Sequence, residues 1–150
     1  MESEVTSEED LSNCLYFGRV ASMIQGLELI AKHMVNINFG TVLNNWMGGC
    51  IIRSNLLKEL NVVSSASKDF LGDLKLNKIF KDNLVSTKKI ISEAVLNDIS
   101  IPVLSASLNW YLNLSSSSNP SNLIQAQRDF FGRHKVQLVD SEEDVNIDWD

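Results

Sequence analysis

The chain has 150 residues, 44% hydrophobic and 21% charged, with seven glycines and two prolines. These values suit one globular domain with a real core and exclude a fibrous, collagen-like or loop-dominated chain. The formal charge of −6 is unevenly placed: eleven of nineteen acids lie in the two ends, and all thirteen Lys and Arg lie between Arg19 and Lys135, against eight acids, so a mildly basic body sits between acidic tails.

The first element expected is a helix from near Ser7, which caps it, with Glu8, Glu9 and Asp10 at the positive end of the dipole. It should run to about Val35, because Met23, Leu27, Ile30 and Met34, flanked by Ile24 and Ala31, recur at helical spacing as a buried stripe. Residues 36–40 read as a turn. A second helical stretch should carry Trp46 from Thr41, be interrupted or closely packed at Gly48-Gly49, and continue through Ile51 to about Leu60. Asn61 to Ser67 reads as a polar connection, with shorter helices around Phe70 and Phe80. A clearer helix is expected from Asp82 to Leu96, with Leu84, Ile91 and Val95 on one side. Pro102 suits the first turn of another, reaching Leu114, because its missing amide donor costs nothing there. After a loop at residues 115–118, Asn119 and Pro120 should open a last helix ending near Gly132. Val136 and Leu138 alternate briefly before an acidic tail with Trp149. No alternation is long enough for a sheet, so the expected class is all-α.

Cys14 and Cys50 show neither metal nor redox spacing, and Cys50 lies in the apolar run Cys50-Ile51-Ile52. Both read as buried free thiols of a reducing, cytoplasmic setting, with no metal site implied. No apolar run reaches the roughly 18 residues of a membrane span, so no membrane partner is expected. The lysines are scattered and do not alternate with aromatics, which argues against nucleic acid and favours a small phosphorylated anion.

Three segments bear on chemistry. In Trp46-Met47-Gly48-Gly49-Cys50-Ile51-Ile52-Arg53-Ser54 the glycines permit close approach, and an apolar run delivers one Arg. A buried guanidinium needs an anion, so Arg53 reads either as a structural ion pair or as a ligand for phosphate or carboxylate. In Asn122 to His134, Arg128 and His134 lie six apart and would share a site only if the chain turned at Gly132. By default, Arg128 is a solvated surface residue and His134 a hydrogen-bonding one. The third segment, Ile101-Pro102-Val103 with Ser105, Ser107, Leu108, Trp110 and Tyr111, reads as core.

These segments, above all Gln125-Ala126-Gln127-Arg128-Asp129-Phe130-Phe131-Gly132, resemble the C-terminal domain of 6-phosphogluconate dehydrogenase, in that family's order and over roughly Leu11 to Trp149. The resemblance implies a helical domain over residues 1–133 and an extended tail over 134–150 that packs on a partner subunit. It implies a homodimer that oxidises 6-phosphogluconate with NADP and releases carbon dioxide to give ribulose 5-phosphate in the pentose phosphate pathway. In that setting Arg53 and Arg128 would bind the substrate phosphate, and His134 would contact substrate, the latter two from the neighbouring subunit. The resemblance assigns no catalytic, cofactor-binding or metal-binding residue to this chain. The family's Lys base, its Glu acid and the dinucleotide fold have no counterpart here, and Gly48-Gly49 is not the Gly-rich turn of that fold. The chain is therefore expected to be inactive alone, working with a complementary N-terminal fragment. The alternative is a non-catalytic all-α dimerisation or sugar-phosphate-binding module derived from the enzyme.

Overall fold

The computed structural model describes residues 6–34, 37–66, 72–116, 119–138, 141 and 143–149, with the side chains of 64–66 outside the description. The order is α1 (Glu8–His33), α2 (Phe39–Gly49), α3 (Asn55–Ala66), α4 (Leu74–Leu96), α5 (Pro102–Ser115), α6 (Ser121–Gly132), then two short strands, β1 (Val136–Gln137) and β2 (Asp144–Val145). The class is all-α, as expected. The strands form one antiparallel pair, Val136 opposite Val145 and Gln137 opposite Asp144. The chain divides into two compact units, Met1–Tyr111 and Leu112–Asp150. That boundary differs from the one expected at 133/134, because α6 groups with the tail.

Helix α1 begins as its sequence dictates. Ser7 Oγ accepts from Asp10 N at 3.0 Å, and Asp10 Oδ2 accepts from Ser7 N at 3.2 Å, a reciprocal cap. The same carboxylate takes a 3.0 Å ion pair from Lys89 and a 2.8 Å bond from Ser86 Oγ, both on α4. The Lys89 bond, followed by those from Ser86 and Ser7, holds Asp10 well below the usual carboxylate range. One acid thus caps one helix and pins it to another.

The buried face of α1 runs from Cys14, Phe17, Val20 and Ala21 to Met23, Ile24 and Leu27. The expected stripe is correct at Met23, Ile24 and Leu27, but it emerges into solvent by Met34, which is 58% exposed. Against it lies α4, a single helix spanning what the sequence reading divided between a short helix at Phe80 and one from Asp82. The expected helix at Phe70 lies outside the described residues.

The face of α4 was also misread. Leu76, Phe80, Asn83, Thr87, Ile90 and Ala94 are buried, while Val95 is 67% exposed. Asn83 and Thr87 tolerate burial because each satisfies itself within the helix. Asn83 Nδ2 donates to Ile79 O at 2.7 Å and Thr87 Oγ1 to Asn83 O at 2.7 Å. The core closes on α5, where Trp110 and Tyr111 pack as expected. Phe17 meets Phe80 edge-on at 5.1 Å, and Tyr111 stacks on Phe80 at 4.8 Å.

Helices α2 and α3 form a second packed pair, the former capped by Asn38 Oδ1 accepting from Thr41 N at 3.1 Å. The expected turn before it is shorter, since Phe39 and Gly40 are already helical. The stretch expected to continue through Ile51 to Leu60, interrupted or closely packed at Gly48-Gly49, is broken just after the glycines, at residues 50–54, and α3 runs to Ala66 across the stretch read as a connection. Burial of Leu60 and Val63, three residues apart, anchors the helix through this stretch.

Candidate functional site

The break between α2 and α3 delivers Arg53. After Gly49 the chain turns through Ile51 and Ile52, and Arg53 N donates to Cys50 O at 3.1 Å. The apolar run is not buried. Ile51 is 99% exposed, Cys50 is half-buried, and the Arg53 side chain is exposed. The reasoning that an Arg emerging from a buried surface needs an anion therefore fails on its premise. Among the described residues no carboxylate pairs with Arg53, so the structural ion pair is not found there either.

What replaces it is a cleft of about 410 Å³ lined by Met47, Arg53, Ser54, Asn55 and Lys58. Two cations face it, and none of its lining residues is acidic. Ser54 Oγ is buried, with no hydrogen-bond partner among the described residues. Among the described residues a Cβ built on Gly48 or Gly49 meets nothing within 4 Å, so close packing against them does not require the glycine pair.

Arg128 and His134 belong to the second unit, and both are exposed. Asn119 Oδ1 accepts from Ser121 N at 2.9 Å and so supports the start of α6. The end of α6 is built around Asp129, whose residue is 1% exposed. Asp129 Oδ1 accepts from Lys135 N at 2.8 Å, and Oδ2 accepts from Ile147 N at 2.8 Å and Trp149 Nε1 at 3.1 Å. The Asn146 amide, in the orientation that satisfies its surroundings, donates to Asp129 Oδ1 at 2.8 Å and to Arg133 O at 3.0 Å. Burial pushes the carboxyl up. The bonds from Ile147, Trp149 and Lys135, with the Arg133 charge, outweigh it and leave a net lowering.

The chain does turn after α6, but the left-handed residues are Arg133 (φ 49°, ψ 44°) and Lys135 (φ 65°), not Gly132. Gly132 has a different task. A Cβ there would lie 2.7 Å from His134 Nε2 and 2.8 Å from its Cδ2, so the missing side chain makes room for the imidazole to fold back. Gln125 joins the two sides of the turn: its Oε1 accepts from Arg128 Nη1 at 3.2 Å, and its Nε2 donates to Lys135 O at 2.6 Å. The sequence reading missed Gln125 and Asp129, although both lie within its most specific motif. Lys58 and Ser54 were also missed; four residues separate Lys58 from Ser54, one helical turn.

The tail does not float. It returns on α6 through the Asp129 bonds and through Trp149, which meets Phe130 edge-on at 5.5 Å. Among the described residues no strand runs into a Gly-rich turn at a helix start, and the two strands have two residues each. No helix among them is long and apolar enough to cross a membrane.

Fold and side chains together define an all-α domain that carries exposed cations at helix ends. The family description matching this chain, over residues 1–149, is that of the 6-phosphogluconate dehydrogenase C-terminal domain, and the chain belongs to that family. It is 32% identical over 139 residues to the decarboxylating 6-phosphogluconate dehydrogenase of Treponema pallidum, covering 87% of this chain and 28% of that protein. It is 33% identical over 149 residues to the enzyme of the same name from Buchnera aphidicola, covering 94% and 32%. A solved 6-phosphogluconate dehydrogenase of Plasmodium falciparum, studied in its apo form and with NADP+ or 6-phosphogluconate, superposes with a TM-score of 0.82 at 34% identity, covering 95% of this chain and 32% of that one. The chain thus spans about a third of the length of these relatives.

Proposed function

We propose that this chain is the substrate-phosphate-binding and dimerising portion of a 6-phosphogluconate dehydrogenase. In that reading it works with a nucleotide-binding portion in the NADP-dependent oxidative decarboxylation of 6-phosphogluconate to ribulose 5-phosphate, and does not turn over alone. Cofactor and proton-transfer groups come from the complementary portion, since hydride and proton transfer both need groups positioned against the sugar. Arg53 binds the phosphate, while Arg128 and His134 reach substrate from the neighbouring copy of a homodimer. The two free thiols, Cys14 buried, suit the cytoplasm.

The observation that carries this reading is the arrangement after α6. Gln125 ties Arg128 to the backbone beyond His134, and Asp129 gathers the tail beneath them. A solvated surface Arg needs no such scaffold. Charge-assisted bonds to a phosphate dianion contribute roughly 1.5–3 kcal/mol each, so loss of one guanidinium should lower kcat/KM by about 10- to 100-fold.

The test mixes this chain with a separately produced nucleotide-binding portion and follows NADPH formation from 6-phosphogluconate. Activity should appear only in the mixture and fall on Arg128→Ala and on His134→Ala. Full activity in both variants would remove these residues from the site.

A further inference from the structure

We propose that Gln125 is a positioning residue for the reaction: its one amide sets the Arg128 guanidinium and the turn bearing His134 relative to each other, so that the two meet substrate as a unit. This rests on the reading of Arg128 and His134 given above and deepens it by naming what aims them.

The backbone on either side of His134 is left-handed, at Arg133 (φ 49°) and Lys135 (φ 65°), a region that residues other than glycine enter only under constraint. On Lys135 the constraint acts through both of its peptide groups. Its N–H donates to Asp129 Oδ1 at 2.8 Å, and its C=O accepts from Gln125 Nε2 at 2.6 Å. Two side chains of α6, four residues apart and so on one face, thus grip the residue directly after His134. Without the Gln125 grip that residue could relax towards ordinary backbone and carry the imidazole with it.

The other end of the amide faces the cation. Gln125 Oε1 accepts from Arg128 Nη1 at 3.2 Å, and among the described residues no carboxylate pairs with Arg128. A neutral acceptor orients the guanidinium fork and leaves its charge for an anion. A Glu in this place would neutralise that charge and would set a carboxylate oxygen against the Lys135 carbonyl, where a donor is needed. The two bonds also dictate which way the amide points, since turning it over would bring its NH2 against the guanidinium and its oxygen against the carbonyl. An Arg and a Gln three apart on a helix are by themselves an ordinary surface pair. The bond that reaches ten residues ahead to Lys135 is what such a pair does not explain. Gln125 is half-buried, whereas Arg128 and His134 are exposed, so the anchoring group is shielded and the two groups it holds stay open to a ligand.

The assay is NADPH formation from 6-phosphogluconate by the full 150-residue chain mixed with the nucleotide-binding portion. Gln125→Met keeps the size of the side chain and removes both bonds. It should raise KM for 6-phosphogluconate about five- to tenfold, with KM for NADP+ near its unaltered value. Gln125→Glu should cost at least as much, whereas a residue needed only for packing would tolerate both changes. Combined with Arg128→Ala or with His134→Ala, Gln125→Met should cost less than it does alone, because part of what it positions is gone. Trp149 emission, read against a Trp149→Phe reference, should not move in either Gln125 variant, since the indole bonds to Asp129. If Gln125→Met were as active as the unaltered chain while Arg128→Ala and His134→Ala lost activity, the wider reading would stand and this proposal would fall. Full additivity in both combinations, a shifted Trp149 emission, or an equal rise in both KM values would make Gln125 a structural residue and overturn it. Full activity in Arg128→Ala and His134→Ala would remove the wider assignment, and this one with it.

Discussion

Asp129 is the acceptor on which the end of the chain depends. Asp129→Ala would leave the amides of Lys135 and Ile147 and the indole of Trp149 facing an apolar hole. The expected result is a red-shifted Trp149 emission, read against a Trp149→Phe reference, with faster proteolysis of the tail and unchanged helical circular dichroism in the first unit. The same carboxyl predicts the pH response. Its folded pKa is lowered, so its contribution is complete above the ordinary carboxylate value, about pH 4, and fades as pH falls through the lower folded value. Trp149 emission should stay flat from neutral pH to about pH 4 and move only below that; a transition near neutrality would contradict the assignment. Gly132→Ala is a subtler change. Its methyl would occupy the place of the His134 ring. Because that ring is exposed and can swing away, stability should hardly change, while activity in the mixed portions falls as in His134→Ala.

At the scale of the helices, α4 separates what apolar pattern can show from what it cannot. Phe80 touches Phe17, Trp110 and Tyr111, so Phe80→Ala should cost about 3–5 kcal/mol in urea unfolding. Thr87→Val keeps the shape and removes a hydroxyl bonded to a carbonyl of its own helix, so the change should stay under about 1 kcal/mol. A large loss there would mean that the hydroxyl's bond to Cys14 on α1 matters more than the one within its own turn. Pattern reading chose Leu84, Ile91 and Val95 because they are apolar. The true face includes Asn83 and Thr87, whose polarity is cancelled by bonds four residues back, and no count of apolar residues detects such cancellation. The caps at Ser7 and Asn119 were legible, since each acts through a bond to a near neighbour, and Pro102 opens α5 as its missing donor suggests; the Asn38 cap was read only as part of a turn. The end of α6 was only half legible. A turn after Phe131 follows from the glycine, but the bonds from Ile147 and Trp149 to Asp129 span 18 and 20 residues. The role of Arg53 came from likeness to a family, and the physical argument first attached to it was wrong, because Ile51 beside it is almost wholly exposed.

Taken whole, the molecule leaves much apolar surface in water. In the first unit Leu74, Val85, Leu96 and Val103 are each at least 66% exposed, and in the second Leu123 and Phe131 are both 76% exposed. Scattered exposed apolar residues are ordinary, but so many large ones on a domain spanning a third of its relatives' length are what contact with further protein would leave behind. Sedimentation of the chain alone should therefore show association. Leu123→Glu combined with Phe131→Glu should weaken it tenfold or more, since each places a charge in an apolar contact. A strictly monomeric chain at high concentration would argue against pairing through α6.

The Asp129 anchorage has a practical corollary. Two of its four donors, the Ile147 amide and the Trp149 indole, lie within the last four residues. Trimming those residues, or burdening them with a bulky fusion, would spare Arg53, Arg128 and His134 and still unfasten the turn that holds the latter two. Loss of function in a C-terminally shortened or tagged protein would then say nothing against its ligand-binding side chains.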